Sequence, residues 1–365
     1  MDDDENGFKD DYFGYNTVSM NGNLPLMSIH GTEVFGIMAA KADNGTGVAG
    51  VNWNVKLMPI NNDLLFSEIV ESYEYVLKMR KLYNESKGEL GAFIVTTNAS
   101  FGTSGFPSDM PVFSTWCEFY DSLGVAGILS VGATSNDAVD IDIEGDMPTS
   151  CTSDFLVTVT AISRTNALIG GYSSTNIDIA APGDNSPSTK PNNGYGNISG
   201  TSAAAPHVAG AIALLYSTPC EEWAQYARDD PPGAALLMKD FLLRSAAPLD
   251  ALKGKSVSGG LLDVKGAFDE IQNYCGSFTG ALDILTLRSS ISDGTISIDY
   301  QTPKEGPYTL RVFDALGRLL IDMPLNLEAF DKKTLELDVR SFARGVYFLS
   351  IENVENIVAK PFVVF

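Results

Sequence analysis

Histidine is scarce in this chain. Only His30 and His207 among 365 residues can supply an imidazole, so a histidine base has two candidates. Basic residues are few as well, 24 lysines and arginines against 46 acids for a net charge of −22. No cluster of them forms a phosphate track, which argues against a nucleic-acid partner. No apolar run approaches the ~18 residues of a membrane span. Met1-Asp2-Asp3-Asp4-Glu5 has neither a basic n-region nor an apolar core, so no signal peptide is visible. The four cysteines, Cys117, Cys151, Cys220 and Cys275, lack CxxC spacing, which argues against zinc or a redox motif. By spacing alone they are buried free thiols or they pair.

What is present centres on Gly200-Thr201-Ser202-Ala203-Ala204-Ala205-Pro206-His207-Val208-Ala209-Gly210. From Ala203 to Leu215 all but Pro206, His207 and Gly210 are apolar, and a helix apolar all round is a buried one. Its N-terminus favours negative charge. Pro206 is expected in or near the first turn, and Gly210 implies that another backbone packs close. Spacing alone favours Ser202 as an N-cap. Upstream, Asp2, Asp4, Asn6, Gly7 and Asp10 spell the start of a calcium loop. Phe13 stands where an EF-hand needs glutamate, so an ordinary EF-hand is ruled out and a solvated acidic turn is the simpler reading.

The length allows one large α/β domain and a small one. Val55–Ile60, Ala92–Thr97, Ala126–Val131, Leu156–Ile162 and Ile177–Ala181 read as strands, with helical periodicity in Leu64–Tyr83 and Pro111–Leu123 between them. That alternation predicts a doubly wound parallel sheet with ligands at the strands' carboxyl ends. From Gly280 the texture changes to alternating segments, Thr295–Tyr300, Tyr308–Phe313, Thr334–Val339 and Val346–Ile351, the pattern of an all-β sandwich. The expected domains are 1–276 and 277–365.

GTSAAAPHVAG resembles the serine motif of the subtilisin-like serine proteases, GTSMAxPHVAG. His30-Gly31-Thr32-Glu33-Val34-Phe35-Gly36 resembles the family's HGTHVAG, and Val125 to Asn136 resembles the strand ending in the oxyanion asparagine. Three motifs in the family's order over about two hundred residues are far more specific than any one. The resemblance implies that Ser202 attacks, that His30 is the base, and that Asn136 with the Ser202 N–H holds the oxyanion. It also implies that Ser100, Phe101 and Gly102 pair with extended substrate, and that Ala133, Thr134 and Ser135 shape the neighbouring pocket. From the residues alone, His30 is equally a surface-turn histidine and Asn136 a turn asparagine. His207 lies five positions past Ser202 and reads as a packing residue. Glu33 replaces the family's second histidine, altering packing or local charge rather than the base.

One member of the triad is absent. In the family the catalytic aspartate ends a strand before the histidine segment, and nothing before His30 resembles it. Asp10 and Asp11 belong to a stretch resembling NGYVDDxxGWN. The expectation is a subtilisin-like sheet lacking its aspartate strand, in a chain that is the C-terminal part of a longer protein and inactive by itself. The alternative is a non-catalytic scaffold. Val312-Phe313-Asp314-Ala315-Leu316-Gly317-Arg318, Ala343-Arg344-Gly345-Val346-Tyr347 and Lys360-Pro361-Phe362-Val363-Val364-Phe365 resemble the C-terminal sorting domain of proteins exported by the Bacteroidetes type IX system. That implies a secreted or cell-surface protein handled by that machinery, and hence Cys117–Cys151 and Cys220–Cys275 disulfides. No cofactor is expected for chemistry. A polypeptide substrate, a monomer and structural calcium at Asp2, Asp4, Asn6 and Asp10 complete the expectation.

Overall fold

Short runs of β-branched and small residues separated by helices build the first part of the chain. The computed structural model describes all residues except 1–5, 10, 26–27, 107–109, 278–282, 291–293, 303–305, 328–332, 355–356 and 365. They divide into two units, Met1–Gln272 and Asn273–Phe365.

The strands of the first unit that position the site are β1 (Thr96–Ala99), β2 (Leu129–Ala133), β3 (Leu156–Ile162), β4 (Ile179–Pro182), the hairpin β5 (Ser186–Lys190) and β6 (Gly194–Ile198), and the short β7 (Ala247–Pro248) and β8 (Gly260–Leu261). One sheet runs β7-β8-β4-β3-β2-β1, parallel except for β7 against β8. β2 and β3 are buried at every residue, as strands covered on both faces must be. β1 ends the sheet, and no described residue pairs with its outer edge.

The helices are α1 (Ile29–Ala39), α2 (Phe66–Glu85), α3 (Pro111–Val125), α4 (Thr201–Tyr216) and α5 (Pro231–Ser245). α4 is buried nearly all round and packs against β2, β3 and α1. At Gly210 a Cβ would lie 2.9 Å from Val51 Cβ and 3.2 Å from the Met38 carbonyl, so the close backbone inferred from this glycine belongs to α1.

Several boundaries differ from the sequence reading. Val55–Ile60 is not a strand: only Ile60–Asn61 pairs, with the two residues Tyr15–Asn16, because that is the whole of its ladder. The second strand begins at Thr96 instead of Ala92, since the Ala92 N–H bonds to the Met79 carbonyl and Arg80 takes the Ile94 carbonyl. Ala126 and Gly127 close α3 rather than opening β2: the Ile128 N–H reaches back to Leu123 and Gly127 adopts φ 94°. Ser28 caps α1 through the Gly31 N–H at 3.1 Å, so the helix starts at Ile29 and includes His30.

Cys117 on α3 is bonded to Cys151, and Cys220 and Cys275 are disulfide-bonded too. Closing a loop of 34 residues contributes about 3 to 4 kcal/mol in the chain-entropy account.

The second unit is antiparallel throughout. Its strands β9 (Asp283–Ser290), β10 (Thr295–Gln301), β11 (Gly306–Asp314), β12 (Leu319–Leu327), β13 (Lys333–Asp338), β14 (Gly345–Glu352) and β15 (Ile357–Val364) form the sheets β9-β10-β13 and β12-β11-β14-β15. Alternate residues such as Ile296, Ile298, Leu310, Val312, Leu349 and Ile351 make its core. No described helix is long and apolar enough to cross a membrane.

Candidate active site

Ser202 is the second residue of α4. Gly200 occupies the cap position with φ 110°, so Ser202 is not the N-cap that spacing alone suggested. Pro206 is the sixth helical residue, near the first turn but not in it. Having no N–H, it leaves the Ser202 carbonyl without its helical donor, and the Ser100 hydroxyl donates to that carbonyl at 3.0 Å. The Ser202 hydroxyl donates in return to the Ser100 carbonyl at 3.1 Å. Asn98 Nδ2 donates to Ser100 Oγ at 2.9 Å, while its buried Oδ1 has no described partner.

Asn136 follows β2 and meets the same helix start. Its Oδ1 accepts from the Thr201 N–H at 2.8 Å and lies 3.0 Å from the Thr201 hydroxyl; that hydroxyl lies nearer still, 2.6 Å, to the Thr134 carbonyl. With Oδ1 anchored, Nδ2 remains uncommitted among the described residues. The Ser202 N–H is one of the first-turn donors without an intrahelical acceptor. The Asn136 amide, anchored on Thr201, and the Ser202 N–H are therefore two donors at the start of α4. Gly200 makes this approach possible, since a Cβ there would lie 2.5 Å from Asn136 Oδ1.

His30 is exposed, in the first turn of α1. α1 packs against α4, but no hydrogen bond joins His30 to Ser202, and no described carboxylate bonds to the ring. Packing around the imidazole still lowers its pKa below the ordinary 6.5 by desolvation. Glu33, buried one turn further on, pairs with Lys190 of β5. The Ser188 hydroxyl bonds to the Glu33 carbonyl and the Thr189 hydroxyl to the Thr32 carbonyl at 2.8 Å. Strand β5 thus clamps the turn that carries His30. His207 Nδ1 lies 2.8 Å from the Ala203 carbonyl of its own helix, the place of a packing residue.

The segments expected to contact substrate lie beside Ser202. Ser100 is buried and bonded to it, Phe101 stacks on Trp116 with centroids 6.1 Å apart, and Gly102 lies against the Met147 carbonyl, 2.1 Å from where a Cβ would stand. Ala133 ends β2, the Thr134 hydroxyl donates to Asp146 at 3.1 Å, and Ser135 Oγ accepts from the Asp137 N–H at 3.1 Å. Of the calcium candidates, Asp2, Asp4 and Asp10 lie outside the described residues. Asn6 is buried, its Oδ1 accepting from the Phe8 N–H at 2.7 Å and its Nδ2 donating to Asp11 at 2.9 Å. Sequence reasoning missed Thr201, Lys190 and Asp146. Thr201 stood inside the quoted motif, whereas the other two carry no local signal.

The structure thus sets a serine at the start of a buried helix, an anchored asparagine beside it and a histidine helix packed alongside. The chain belongs to the subtilase family, whose model matches residues 2–276. Residues 292–365 match the secretion system C-terminal sorting domain, which marks a secreted or cell-surface protein of the type IX route. The chain is 29% identical over 243 residues to subtilisin-like protease 1 of Plasmodium falciparum, aligning 60% of itself with 32% of that protein. It is 30% identical over 233 residues to the major intracellular serine protease of Bacillus subtilis, with 63% and 66% covered. It thus spans about a third of the former and about two thirds of the latter. Among solved structures it resembles that of the subtilase cytotoxin SubAB assembly, with a TM-score of 0.53, 24% identity, and 67% of this chain and 78% of that one covered. The epidermin leader peptide processing serine protease of Staphylococcus aureus gives a TM-score of 0.55 at 19% identity, with 73% and 72% covered. These two likenesses concern the fold.

Proposed function

We propose that this chain carries the acyl-enzyme machinery of a secreted serine endopeptidase and has little or no turnover in its 365-residue form. Ser202 Oγ attacks the scissile carbonyl while His30 takes its proton; the same imidazolium then protonates the leaving amine, and water repeats the cycle to release the acid. Asn136 Nδ2 and the Ser202 N–H hold the oxyanion. The observation that carries this reading is the anchoring of Asn136 Oδ1 by Thr201, which leaves an amide donor beside an uncommitted helix-start N–H and a serine hydroxyl.

The expected lack of turnover rests on His30, which no described carboxylate orients. Removing the aspartate alone costs subtilisin, a member of this same family, about 3 × 10⁴ in kcat. The test is fluorophosphonate labelling of Ser202 and casein hydrolysis by the 365-residue chain, by a protein extended upstream to include an aspartate strand, and by the Ser202→Ala variant of each. Full turnover by the shorter chain would sink the inactivity claim. A folded, extended protein that neither labels nor cleaves would favour a second reading, a non-catalytic subtilase-like scaffold. One observation favours that reading: the Ser202 hydroxyl donates to the Ser100 carbonyl and not to His30.

Structural calcium at Asp2, Asp4, Asn6 and Asp10 is also a proposal, resting on the alternating oxygen ligands. Identical melting curves with excess calcium and with a chelator would remove it.

A further inference from the structure

Asp146 is a buried acid that the mechanism above does not use. It is 2% exposed, and no described lysine, arginine or histidine pairs with it. Its Oδ1 accepts from the Ser104 hydroxyl at 2.8 Å, and its Oδ2 from the hydroxyls of Thr149 at 2.5 Å and Thr134 at 3.1 Å. Burial raises its pKa against the opposing pull of these hydroxyls and the Ser135 N–H.

Its partners come from both segments assigned to substrate. Thr134 and Ser135 belong to the stretch after β2, and Ser104 lies two residues past Gly102. The ladder Thr103–Ser104 against Asp146–Met147 ties the carboxylate into the second segment, and Gly102 lies against the Met147 carbonyl. The acid therefore stands where the two walls meet.

The hydroxyls leave the charge without a counterion. An asparagine, with one acceptor oxygen, could accept on only one side of this set, so the hydroxyls fit a carboxylate, yet a buried carboxylate without a cation still bears a desolvation cost of several kcal/mol. Hydroxyls also rotate and can accept as well as donate, so the three could turn to receive a cation without moving the backbone.

Resting on the protease reading above, we infer that Asp146 forms the floor of the pocket for the side chain preceding the scissile bond and selects lysine or arginine there. The cationic side chain supplies the missing countercharge, and a net charge of −22 favours approach of cationic substrates.

The test uses p-aminobenzamidine, whose fluorescence rises on entering such a pocket and whose binding needs no catalytic serine. Saturable binding is expected for the 365-residue chain and equally for Ser202→Ala. It should exceed binding of the uncharged p-aminobenzamide by at least about tenfold, the scale of a charge-assisted hydrogen bond, and Asp146→Asn should lose that margin. Should Asp146→Asn not fold, Ser104→Lys at an exposed position places an internal cation on the same carboxylate and should block the probe. No saturable binding by the folded chain, no preference for the cation, or unchanged binding in a folded variant overturns the inference. Binding that depends on Asp146, together with a folded, upstream-extended protein whose Ser202 neither labels nor cleaves, would leave the pocket standing and remove the protease reading.

Discussion

Replacing Lys190 by methionine keeps the aliphatic bulk against α1 and removes the cation facing Glu33. The two side chains are 32% and 9% exposed, so the lysine end of the pair meets water and the glutamate end does not. Removing one partner of a fully buried pair costs about 3 to 5 kcal/mol, whereas an exposed pair is worth about 0 to 1. The observed burial lies between, and about 1 to 2 kcal/mol is expected. At about 2 to 4 °C per kcal/mol, Tm should fall by roughly 2 to 8 °C. The Ser188 and Thr189 hydroxyls still hold the Glu33 and Thr32 carbonyls, so α1 loosens without detaching. The assay is thermal unfolding of Lys190→Met, Glu33→Leu and the double variant. If the cost is the stranded carboxylate, the double variant regains at least half of the loss in Lys190→Met. A single variant that melts with the parent would show that Glu33 is solvated and that β5 grips α1 through its hydroxyls alone.

Asn136→Ala in the upstream-extended protein should lower kcat by about 10² to 10³ with KM little changed, a magnitude measured in subtilisin of this same family; an unchanged kcat removes Asn136 from the oxyanion role. Gly200→Ala forces a side chain into φ 110° and to 2.5 Å from Asn136 Oδ1. It should cost about 1 to 3 kcal/mol and slow Ser202 labelling, and a variant matching the parent in both would show that the asparagine anchor is dispensable. His30 acts as base when neutral, and desolvation lowers its pKa from 6.5, so the acid limb of Ser202 labelling in the 365-residue chain should lie below pH 6.5. A neighbouring carboxylate in the extended protein should move that limb upward; the opposite shift refutes the assignment. Limited proteolysis after reduction should release a stable fragment beginning between residues 273 and 283, and failure to find one counts against an autonomous second unit.

The legible parts of the fold were those written in local pattern. β3 was bounded correctly at both ends because a fully buried strand is a continuous apolar run, and the alternating strands of the second unit stood out by their period of two. Strand ends governed by tertiary pairing were not legible. Ala92 to Ile94 has a strand's composition, yet α2 takes its hydrogen bonds through the Met79 carbonyl and the Arg80 side chain. At the site, Gly210 announced a close backbone because a glycine inside a buried helix needs a reason. The pairing of Glu33 with Lys190 joins residues 157 positions apart, and no window of sequence carries it.

The carboxyl end of β1 and the state of Ser202 are parts of one network. β1 ends the sheet with two buried polar atoms unpartnered, Thr97 Oγ1 and Asn98 Oδ1, and an unmet buried acceptor costs about 1 to 3 kcal/mol. The other end of the Asn98 amide holds Ser100 Oγ, which holds the Ser202 carbonyl, while the Ser202 hydroxyl closes the loop on the Ser100 carbonyl. Both the carbonyl and the hydroxyl of Ser202 are thus held by Ser100, so the nucleophile must leave the Ser100 carbonyl before it can attack, and labelling of Ser202 reports that release.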